Sequence, residues 1–339
     1  MAKHDIVYVD DSEPGIIRKQ VRHGWGYWDA HNKRITTRDE IDRLNAIGLP
    51  PAYHDAWFCP DPRGHIQATA KDDKGRKQYR YHTQFREAQE AAKYDRCAAF
   101  GEHLPKLRKR VEADLKLRGL CKEKAVAAVV RLLDRGSIRV GNEAYAQTNK
   151  SFGATTLRKR HAKVTGSHLK LQFRAKSGKL RVMTITDNSL SRFVKKMQDL
   201  PGQHLFRYLD SDGVSHPVTS TDVNCYIREA MHDDFTAKHF RTWGASVLAF
   251  EALAAADSFV GIKSMLEPVT EALGNTPAIA RKSYVHPRLV DLAKDKEAQA
   301  AFREQLSLPR ATQHLNRYER GLIAFLEEPA ARPSRKKAA

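Results

Sequence analysis

The sequence predicts an α+β protein in which a small, twisted β-sheet domain at the N-terminus precedes a larger, mainly α-helical domain that contains a β-hairpin. Three patterns support this fold class. Residues 6–82 hold short runs rich in aromatic and β-branched residues, each broken by a turn, which is typical of strands in a small sheet. After His82, apolar residues recur mostly at helical spacing. Residues 168–185 form two alternating runs on either side of Ser177 and Gly178, the pattern of a β-hairpin.

The N-terminal domain is predicted to span residues 1–82. Its expected strands lie at positions 6–9, 25–28, 56–59, 65–70 and 75–82. One helix interrupts them, because Thr37 and Glu40 have the spacing of a capping box. Pro50 and Pro51 then end this helical segment.

The second domain is predicted to span residues 83–328, followed by a basic, disordered tail over residues 329–339. Apolar residues at helical spacing predict helices at positions 85–104, 107–117, 125–133, 187–200, 220–231, 236–253, 290–301 and 315–325. The run 125–133 is almost wholly apolar, so we expect a buried helix there. With 339 residues, the chain is long enough for two domains with cores of their own.

The charge balance predicts a polyanionic partner. Lysine and arginine number 59 against 40 aspartates and glutamates, which gives a formal net charge of +19 and a pI near 9.8. DNA, RNA or an anionic membrane would each fit this charge. A membrane-spanning helix needs about 18 consecutive apolar residues, and the sequence has no such run and no signal peptide in its polar first segment. We therefore expect a cytoplasmic, nucleoid-associated protein.

No sequence pattern predicts a metal or a nucleotide cofactor. The four cysteines are scattered, without the CxxC or Cys/His spacing of a zinc site. Neither a Walker A sequence nor a cluster of metal-binding carboxylates is present. We expect reduced thiols and no cofactor.

Residues 150–186 contain no acidic residue. The block carries ten cationic side chains, which are Lys150, Arg158, Lys159, Arg160, Lys163, Lys170, Arg174, Lys176, Lys179 and Arg181. A charged surface usually mixes both signs. A block of one sign within folded sequence therefore predicts a face that binds phosphates.

The predicted strand at 75–82, GRKQYRYH, interleaves basic and aromatic residues. Because side chains alternate along a strand, Tyr79 and Tyr81 should lie on one side of it. Such a strand could contact a duplex. On the pattern alone, an ordinary amphipathic edge strand fits as well.

The segment 273–287, LGNTPAIARKSYVHP, concentrates more candidate reactive side chains than any other stretch of the chain. Tyr284 is a candidate nucleophile, but a phenol with a pKa near ~10 needs nearby cations to react at neutral pH. Asn275 lies in a Gly-Asn-Thr-Pro turn that should open a helix at Pro277. It could supply an amide donor to a site, take up a left-handed turn conformation, or cap the helix.

Three other segments could supply the cations. They contain Arg139 in SIRVGNEAY, Lys176 at the hairpin tip in FRAKSGKLRV, and Arg241 in TAKHFRTWGAS. Taken singly, Arg139 fits a surface ion pair, and Lys176 and Lys179 fit simple phosphate contacts. Arg241 lies near the start of the predicted helix 236–253, where a concentration of cations suggests a bound anion.

In their order and spacing, these five residues resemble the catalytic residues of type IB DNA topoisomerases, specifically the compact, poxvirus-like bacterial branch. The resemblance covers nearly the whole chain. It implies that Arg139 and Arg241 are the two catalytic arginines, and that Lys176 is the hairpin lysine that acts as general acid. Tyr284 would be the nucleophile. Asn275 stands where the poxvirus enzymes and much of the wider family have a histidine.

The same resemblance implies DNA contacts and an activity. A Gln-Tyr-x-Tyr that contacts DNA in the poxvirus-like enzymes corresponds to Gln78, Tyr79 and Tyr81, and Lys238 matches another DNA-contacting position. The implied activity is relaxation of supercoiled duplex DNA by a monomer. It would proceed by transient cleavage of one strand through a 3′-phosphotyrosyl intermediate, controlled strand rotation and religation, without ATP or metal.

Two other functions fit part of the pattern. A tyrosine recombinase shares the Arg, Lys, Arg and Tyr arrangement and a helical catalytic domain, but recombinases usually begin with a helical module rather than a sheet. A non-enzymatic, basic DNA-binding protein would require only the charge.

Overall fold

A computed structural model of the chain describes residues 6–328, without the side chains of residues 91–93. The chain divides into two compact units, one ending at Lys93 and the other beginning at Tyr94. The predicted domain boundary at His82 follows the last strand of the first unit, whereas the division between the compact units falls within the next helix.

The first unit is built on a five-stranded antiparallel sheet with the strand order β2-β1-β3-β4-β5. Its elements are β1 (Ile16–Val21), β2 (Gly24–Trp28), α1 (Arg38–Ala46), β3 (His54–Phe58), β4 (Ile66–Lys71) and β5 (Lys77–Tyr81). Tyr27, Leu44 and Phe58 form the centre of a small core of their own. Four of the predicted strands are therefore confirmed.

Two predictions for this unit are wrong. Residues 6–9 are not a strand, since Val7 forms only an isolated bridge with Gly64. The fifth strand of the sheet is instead β1, which is not predicted because its sequence IIRKQV lacks clear alternation of apolar and polar residues. The capping box is also absent. Thr37 precedes α1 without a capping hydrogen bond from its side chain, because the carboxylate of Glu40 instead accepts from the guanidinium of Arg43 at 2.6 Å, a stronger charge-assisted interaction.

The second unit is mainly helical, and α2 (Thr83–Asp95) leads into it. Its elements are α3 (Cys97–Asp114), α4 (Lys122–Gly136), α5 (Glu143–Asn149), β6 (Ala162–Thr165), β7 (His168–Arg174), β8 (Leu180–Thr186), α6 (Asn188–Asp199), β9 (Arg207–Leu209), β10 (Ser215–Pro217), α7 (Ser220–Met231), α8 (Ala237–Ala254), α9 (Ile262–Leu273), α10 (Pro277–Ser283), α11 (Pro287–Leu292), α12 (Lys296–Gln305) and α13 (Arg317–Glu327). The predicted tail, residues 329–339, lies outside the described residues.

The predicted hairpin is confirmed. β7 and β8 pair antiparallel from His168 with Thr186 to Arg174 with Leu180, and β6 adds a third strand beside β7. A tight turn, Lys176–Gly178, forms the tip, with Ser177 in the left-handed region at a φ of 65°. Inward residues of β7 and β8 pack on the core of the second unit, so the sheet is held by its inner face, and residues 176–180 at the tip are exposed.

Two helix boundaries differ from prediction. The break expected near Pro105 occurs instead at Arg96, and Pro105 lies inside α3. The predicted helix 290–301 is divided into α11 and α12, because the side chain of Asp295 accepts a hydrogen bond from the backbone of Ala298 at 2.9 Å and begins a new helix.

The core of the second unit is centred on α4 and α8. All residues from Ala125 to Leu133 are buried, as the apolar run predicted. Gly101 of α3 allows the ring of Trp243 to pack against the helix backbone, since a Cβ there would lie 2.3 Å from the indole. Within residues 6–328, no helix is both long enough and apolar enough to cross a membrane.

Candidate active site

A cleft of about 1400 Å³ in the second unit brings together four of the five predicted catalytic residues. Arg139, Lys176, Asn275 and Tyr284 line it. The fifth, Arg241, is only 4 % exposed, and its guanidinium carbon lies 4.7 Å from the centre of the Tyr284 ring. Segments that are distant in sequence therefore converge on the phenol.

Tyr284 directly follows the short helix α10. This helix begins at Pro277, as predicted, and Thr276 caps it by accepting from the backbone of Ile279 at 3.4 Å. The carbonyl of Tyr284 accepts a hydrogen bond from the Ser246 hydroxyl at 3.4 Å, and Val285 next to it is fully buried. The backbone at the phenol is therefore held against α8.

Arg241 projects from α8 toward the ends of two other helices. Its guanidinium donates to the carbonyl of Ser137, just past α4, and at 3.3 Å to the carbonyl of Leu273, the last residue of α9. Its Nε is buried without a hydrogen-bond partner among the described residues. The cation expected to serve an anion at the start of its own helix thus contacts helix C-termini, whose carbonyls carry partial negative charge.

Arg139 lies on a loop whose backbone packs closely against residues 153 and 154. Its carbonyl accepts from the backbone N–H of Ala154 at 2.9 Å. Gly153 permits this approach, because a Cβ there would lie 2.6 Å from the same carbonyl, and Gly141 has a φ of 99°. The guanidinium Nη2 donates to the Oδ1 of Asn275 at 3.2 Å. The two predicted phosphate-contacting side chains therefore touch each other.

Asn275 does not have either of the structural roles that its turn sequence allowed. The left-handed position belongs to Gly274, at a φ of 66°, and the helix cap belongs to Thr276. While its Oδ1 binds Arg139, its Nδ2 is buried and has no hydrogen-bond partner among residues 6–328. An unsatisfied buried donor costs about 1–3 kcal/mol, so this geometry favours a ligand that accepts from Nδ2.

Lys176 and Lys179 flank the hairpin tip, and both are exposed and line the cleft. The chain turns between them through Ser177 and Gly178, both at positive φ. Their shared position leaves both lysines as candidates for a proton donor in this site.

Cations dominate the electrostatics around Tyr284. Burial of the phenol is the largest single influence and opposes its ionisation, but the charges of Arg241 and Arg139 and their hydrogen bonds outweigh it, so the pKa of Tyr284 lies below its ordinary value. Burial and the charge of Arg139 lower the pKa of Arg241. The arrangement therefore favours the phenolate form of Tyr284.

Sequence reasoning missed one member of this cluster as a site residue. Arg181 of β8 lines the cleft, and burial followed by the charges of Arg241 and Arg139 lowers its pKa to about 10. The alternation of β8 could have identified it, because Arg181 lies on the same inward face of the strand as Met183 and Ile185. An arginine on the buried face of a strand needs partners, and the hairpin pattern alone does not supply them.

Sequence comparisons identify the family of the chain. Residues 82–314 match the family described as eukaryotic DNA topoisomerase I, catalytic core. Residues 24–72 match the family described as bacterial DNA topoisomerase IB, N-terminal domain. The chain belongs to the type IB DNA topoisomerases. It is 33% identical over 273 residues to DNA topoisomerase 1B of Acanthamoeba polyphaga mimivirus, a match that covers 76% of this chain and 81% of the viral protein.

Solved structures similar to this topoisomerase include a site-specific recombinase. The pre-cleavage complex of XerH with difH is 17% identical and matches 56% of this chain and 52% of that chain, with a TM-score of 0.36. The post-cleavage complex with palindromic difH is 16% identical, matches 60% of this chain and 52% of that chain, and has a TM-score of 0.37. The match spans about half of each recombinase chain, and TM-scores this low do not establish a shared fold or function.

The candidate DNA contacts of the topoisomerase lie on two elements. Tyr79 and Tyr81 of β5 are exposed, and their rings stack with a centroid separation of 5.8 Å and an interplanar angle of 7°. Gln78 lies on the opposite face of the strand, where its amide donates to the carboxylate of Asp72 at 3.0 Å. Lys238 is exposed on the first turn of α8. The structure therefore groups the two tyrosines but separates Gln78 from them.

Proposed function

We propose that this topoisomerase relaxes supercoiled duplex DNA by cleaving one strand through Tyr284, allowing the strand to rotate, and religating it. The observation that carries the proposal is the cluster around the phenol. Two arginines contact Tyr284 and lower its pKa, while the Nε of Arg241 and the Nδ2 of Asn275 are buried donors without a partner among the described residues. A DNA phosphodiester would accept from such donors and would balance the cationic charge.

The proposed cleavage is an in-line displacement at phosphorus. The Tyr284 oxygen forms a bond to phosphorus as its phenolic proton passes to solvent, and the bond from phosphorus to the 5′ oxygen breaks. Negative charge then grows on the nonbridging oxygens. Arg139 and Arg241 can hold these oxygens, since guanidinium stays charged and donates from two nitrogens. Each such donor contributes roughly 3 kcal/mol in comparable sites.

Lys176 is the proposed general acid. Its ammonium would give a proton to the 5′ oxygen as that oxygen leaves, and would recover the proton when the 5′ hydroxyl attacks the phosphotyrosyl bond during religation. The ester energy is retained in the 3′-phosphotyrosyl bond, so the proposed cycle uses neither ATP nor a metal ion. Torque in the duplex rotates the free 5′ end between the two steps.

Duplex DNA is the proposed partner of both units of a monomeric enzyme in the cytoplasm, at the nucleoid. Tyr79 and Tyr81 would contact the duplex from the first unit. Gln78 would contact DNA only from the opposite face of β5, where its amide now donates to Asp72. The acid-free block 150–186 and Lys238 would contact phosphates from the second unit.

Relaxation of a supercoiled plasmid in EDTA, without ATP, tests the proposed function. We expect complete relaxation through a ladder of topoisomers. A tyrosine recombinase that needs its own recombination site, or a protein that only binds DNA, would leave the supercoils in place under these conditions. Persistence of supercoils over a range of enzyme concentrations and low salt would contradict the proposal.

Replacing Lys176 by alanine should slow cleavage on the order of 10³-fold, within the range for loss of a positioned acid. The same variant should cleave nearly normally when sulfur replaces the 5′ bridging oxygen, because a thiolate leaves without a proton. Single-turnover rates on the two duplexes, each with one mapped cleavage site, measure this rescue. Lys179→Ala is the matched variant. If it shows the rescue and Lys176→Ala does not, Lys179 is the acid.

Binding to duplex DNA should depend steeply on salt. The net charge of +19 and the ten cations of the acid-free block predict at least about six phosphate contacts, and therefore a slope of log affinity against log salt of about −5 or steeper. Fluorescence anisotropy with the Tyr284→Phe variant measures it without cleavage. Adding Tyr79→Ala and Tyr81→Ala should weaken binding but preserve the slope, because neither residue is charged. A slope near zero would rule out a phosphate-dominated interface.

A further inference from the structure

Two arginines from different elements bridge the same two helix ends. Arg241 of α8 donates to the carbonyls of Ser137 and Leu273. Arg181 of β8 donates through its Nη2 to the preceding carbonyl in each case, that of Gly136 at 3.0 Å and that of Ala272. The two guanidinium groups therefore bind consecutive carbonyls at the C-termini of α4 and α9.

The helix ends offer hydrogen-bond acceptors to the half-buried side chain of Arg181. The last carbonyls of a helix have no partner within the helix and carry the negative end of its dipole. Arg181 satisfies one such carbonyl on each helix with a single nitrogen that has two hydrogens. With its pKa at about 10, the side chain remains protonated at neutral pH.

The hairpin also packs directly on these ends. A Cβ added to Gly136 would lie 2.8 Å from the terminal carbon of Met183, and one added to Gly274 would lie 3.2 Å from Nη1 of Arg181. Both glycines thus leave room for side chains of β8. Strand β8 therefore contacts the C-terminus of α4 through Arg181 and Met183, and the C-terminus of α9 through Arg181.

Each partner of Arg181 leads to a residue of the proposed active site. The chain continues from Gly136 to Arg139 and from Ala272 to Asn275, while β8 leads back through the turn to Lys176. Lys176 itself is exposed at the tip. Its placement relative to Arg139 and Asn275 therefore depends on where the end of β8 next to the turn is held, and Arg181 lies at that end, paired with Phe173.

We propose that Arg181 is a positioning residue, which fixes the hairpin carrying Lys176 against the loops carrying Arg139 and Asn275. This inference rests on the proposed function, since it assumes that Lys176 is the acid. Arg181 acts through Lys176, because its Nη2 is already engaged by two backbone carbonyls. Without that contact the hairpin tip would sample positions too far from the leaving oxygen.

The test compares oxygen and sulfur at the 5′ bridging position. Arg181→Gln should slow cleavage of normal DNA about 10- to 100-fold, the loss expected from a misplacement near 1 Å. It should cleave the sulfur-containing duplex at close to the wild-type rate, because that reaction needs no acid. Combining Arg181→Gln with Lys176→Ala should give a rate on normal DNA no lower than that of Lys176→Ala alone.

Two further variants keep the result interpretable. Arg181→Lys retains a cation that can reach only part of the carbonyl pair, so its rate should fall between wild type and Arg181→Gln; it replaces Arg181→Gln if thermal unfolding shows that the glutamine variant does not fold. Arg174→Gln removes an exposed cation from the same hairpin. Its ratio of sulfur to oxygen rates should equal that of the wild type, whatever its effect on DNA affinity.

The outcomes separate this inference from the proposed function. If sulfur rescues Lys176→Ala but not the Arg181 variants, Lys176 is the acid and our assignment of Arg181 is wrong. Arg181 would then contact the phosphate through its buried Nε, which has no partner among the described residues, or support the fold generally. If sulfur rescues neither, the acid assignment itself is wrong.

Discussion

Tyr284→Phe is expected to abolish covalent attachment to DNA while duplex affinity stays close to that of the wild type. The substitution removes only the hydroxyl, and the ring can keep its position 4.7 Å from the guanidinium carbon of Arg241. The helix that precedes it and the backbone contact to Ser246 are also unaffected. Rapid denaturation of enzyme mixed with labelled duplex traps the adduct, and its complete absence in the variant is the predicted result.

The matched control for this prediction is Tyr208→Phe. Tyr208 lies in β9, where its ring stacks on His216 at a centroid distance of 5.4 Å, and it does not line the cleft. Its variant should form adduct at the wild-type level. Undiminished adduct from Tyr284→Phe, or a labelled peptide that contains Tyr208, would overturn the central assignment.

The candidate cluster around Tyr284 could be predicted from the resemblance of its five residues to those of type IB topoisomerases, and local sequence patterns place two of their segments correctly. The hairpin that presents Lys176 follows from alternation around Ser177 and Gly178, and the helix before Tyr284 follows from Pro277. These are local signals. A turn or an alternating pattern can be recognised from a few neighbouring residues, without knowledge of the rest of the fold.

The features that sequence did not predict depend on contacts between distant segments. Arg181 binds carbonyls of Gly136 and Ala272, which are backbone groups that any residue would offer. Asn275 pairs with Arg139 across the cleft, and nothing in the turn around Asn275 identifies that partner. The boundary between α2 and α3 lies at Arg96 rather than near Pro105. This boundary likewise depends on tertiary contacts, because α3 packs in the core.

The same contacts explain why the pKa of Tyr284 falls despite burial. A buried phenol alone would titrate above its ordinary value. Here two guanidinium groups lie close enough to reverse the sign, and Arg241 is itself held by helix-end carbonyls. The fold thus uses backbone dipoles to keep cations beside Tyr284, the proposed nucleophile, and a bound phosphate would share those cations.

Asn275→Asp is expected to slow cleavage on the order of 10⁴-fold while leaving the protein as stable as the wild type. Loss of the Nδ2 donor accounts for about 10²-fold, as for a deleted oxyanion-hole donor. The introduced carboxylate adds repulsion of roughly 4 kcal/mol at 4 Å from a phosphate charge, for an effective dielectric constant near 20, and pairing with Arg139 offsets part of it. Single-turnover cleavage and thermal unfolding of the same preparations measure the two effects.

Asn275→Ala and Asn275→His complete the series, because they separate donation from charge. Alanine should slow cleavage on the order of 10²-fold, with little change in DNA affinity. Histidine should restore most of the rate, since a ring N–H can donate to the same oxygen from the same turn. Because Gly274 supplies the left-handed residue and Thr276 the cap, none of these changes should unfold the turn. If the aspartate variant cleaved at the wild-type rate, the amide would not contact the reacting phosphate and Asn275 would serve only to hold Arg139.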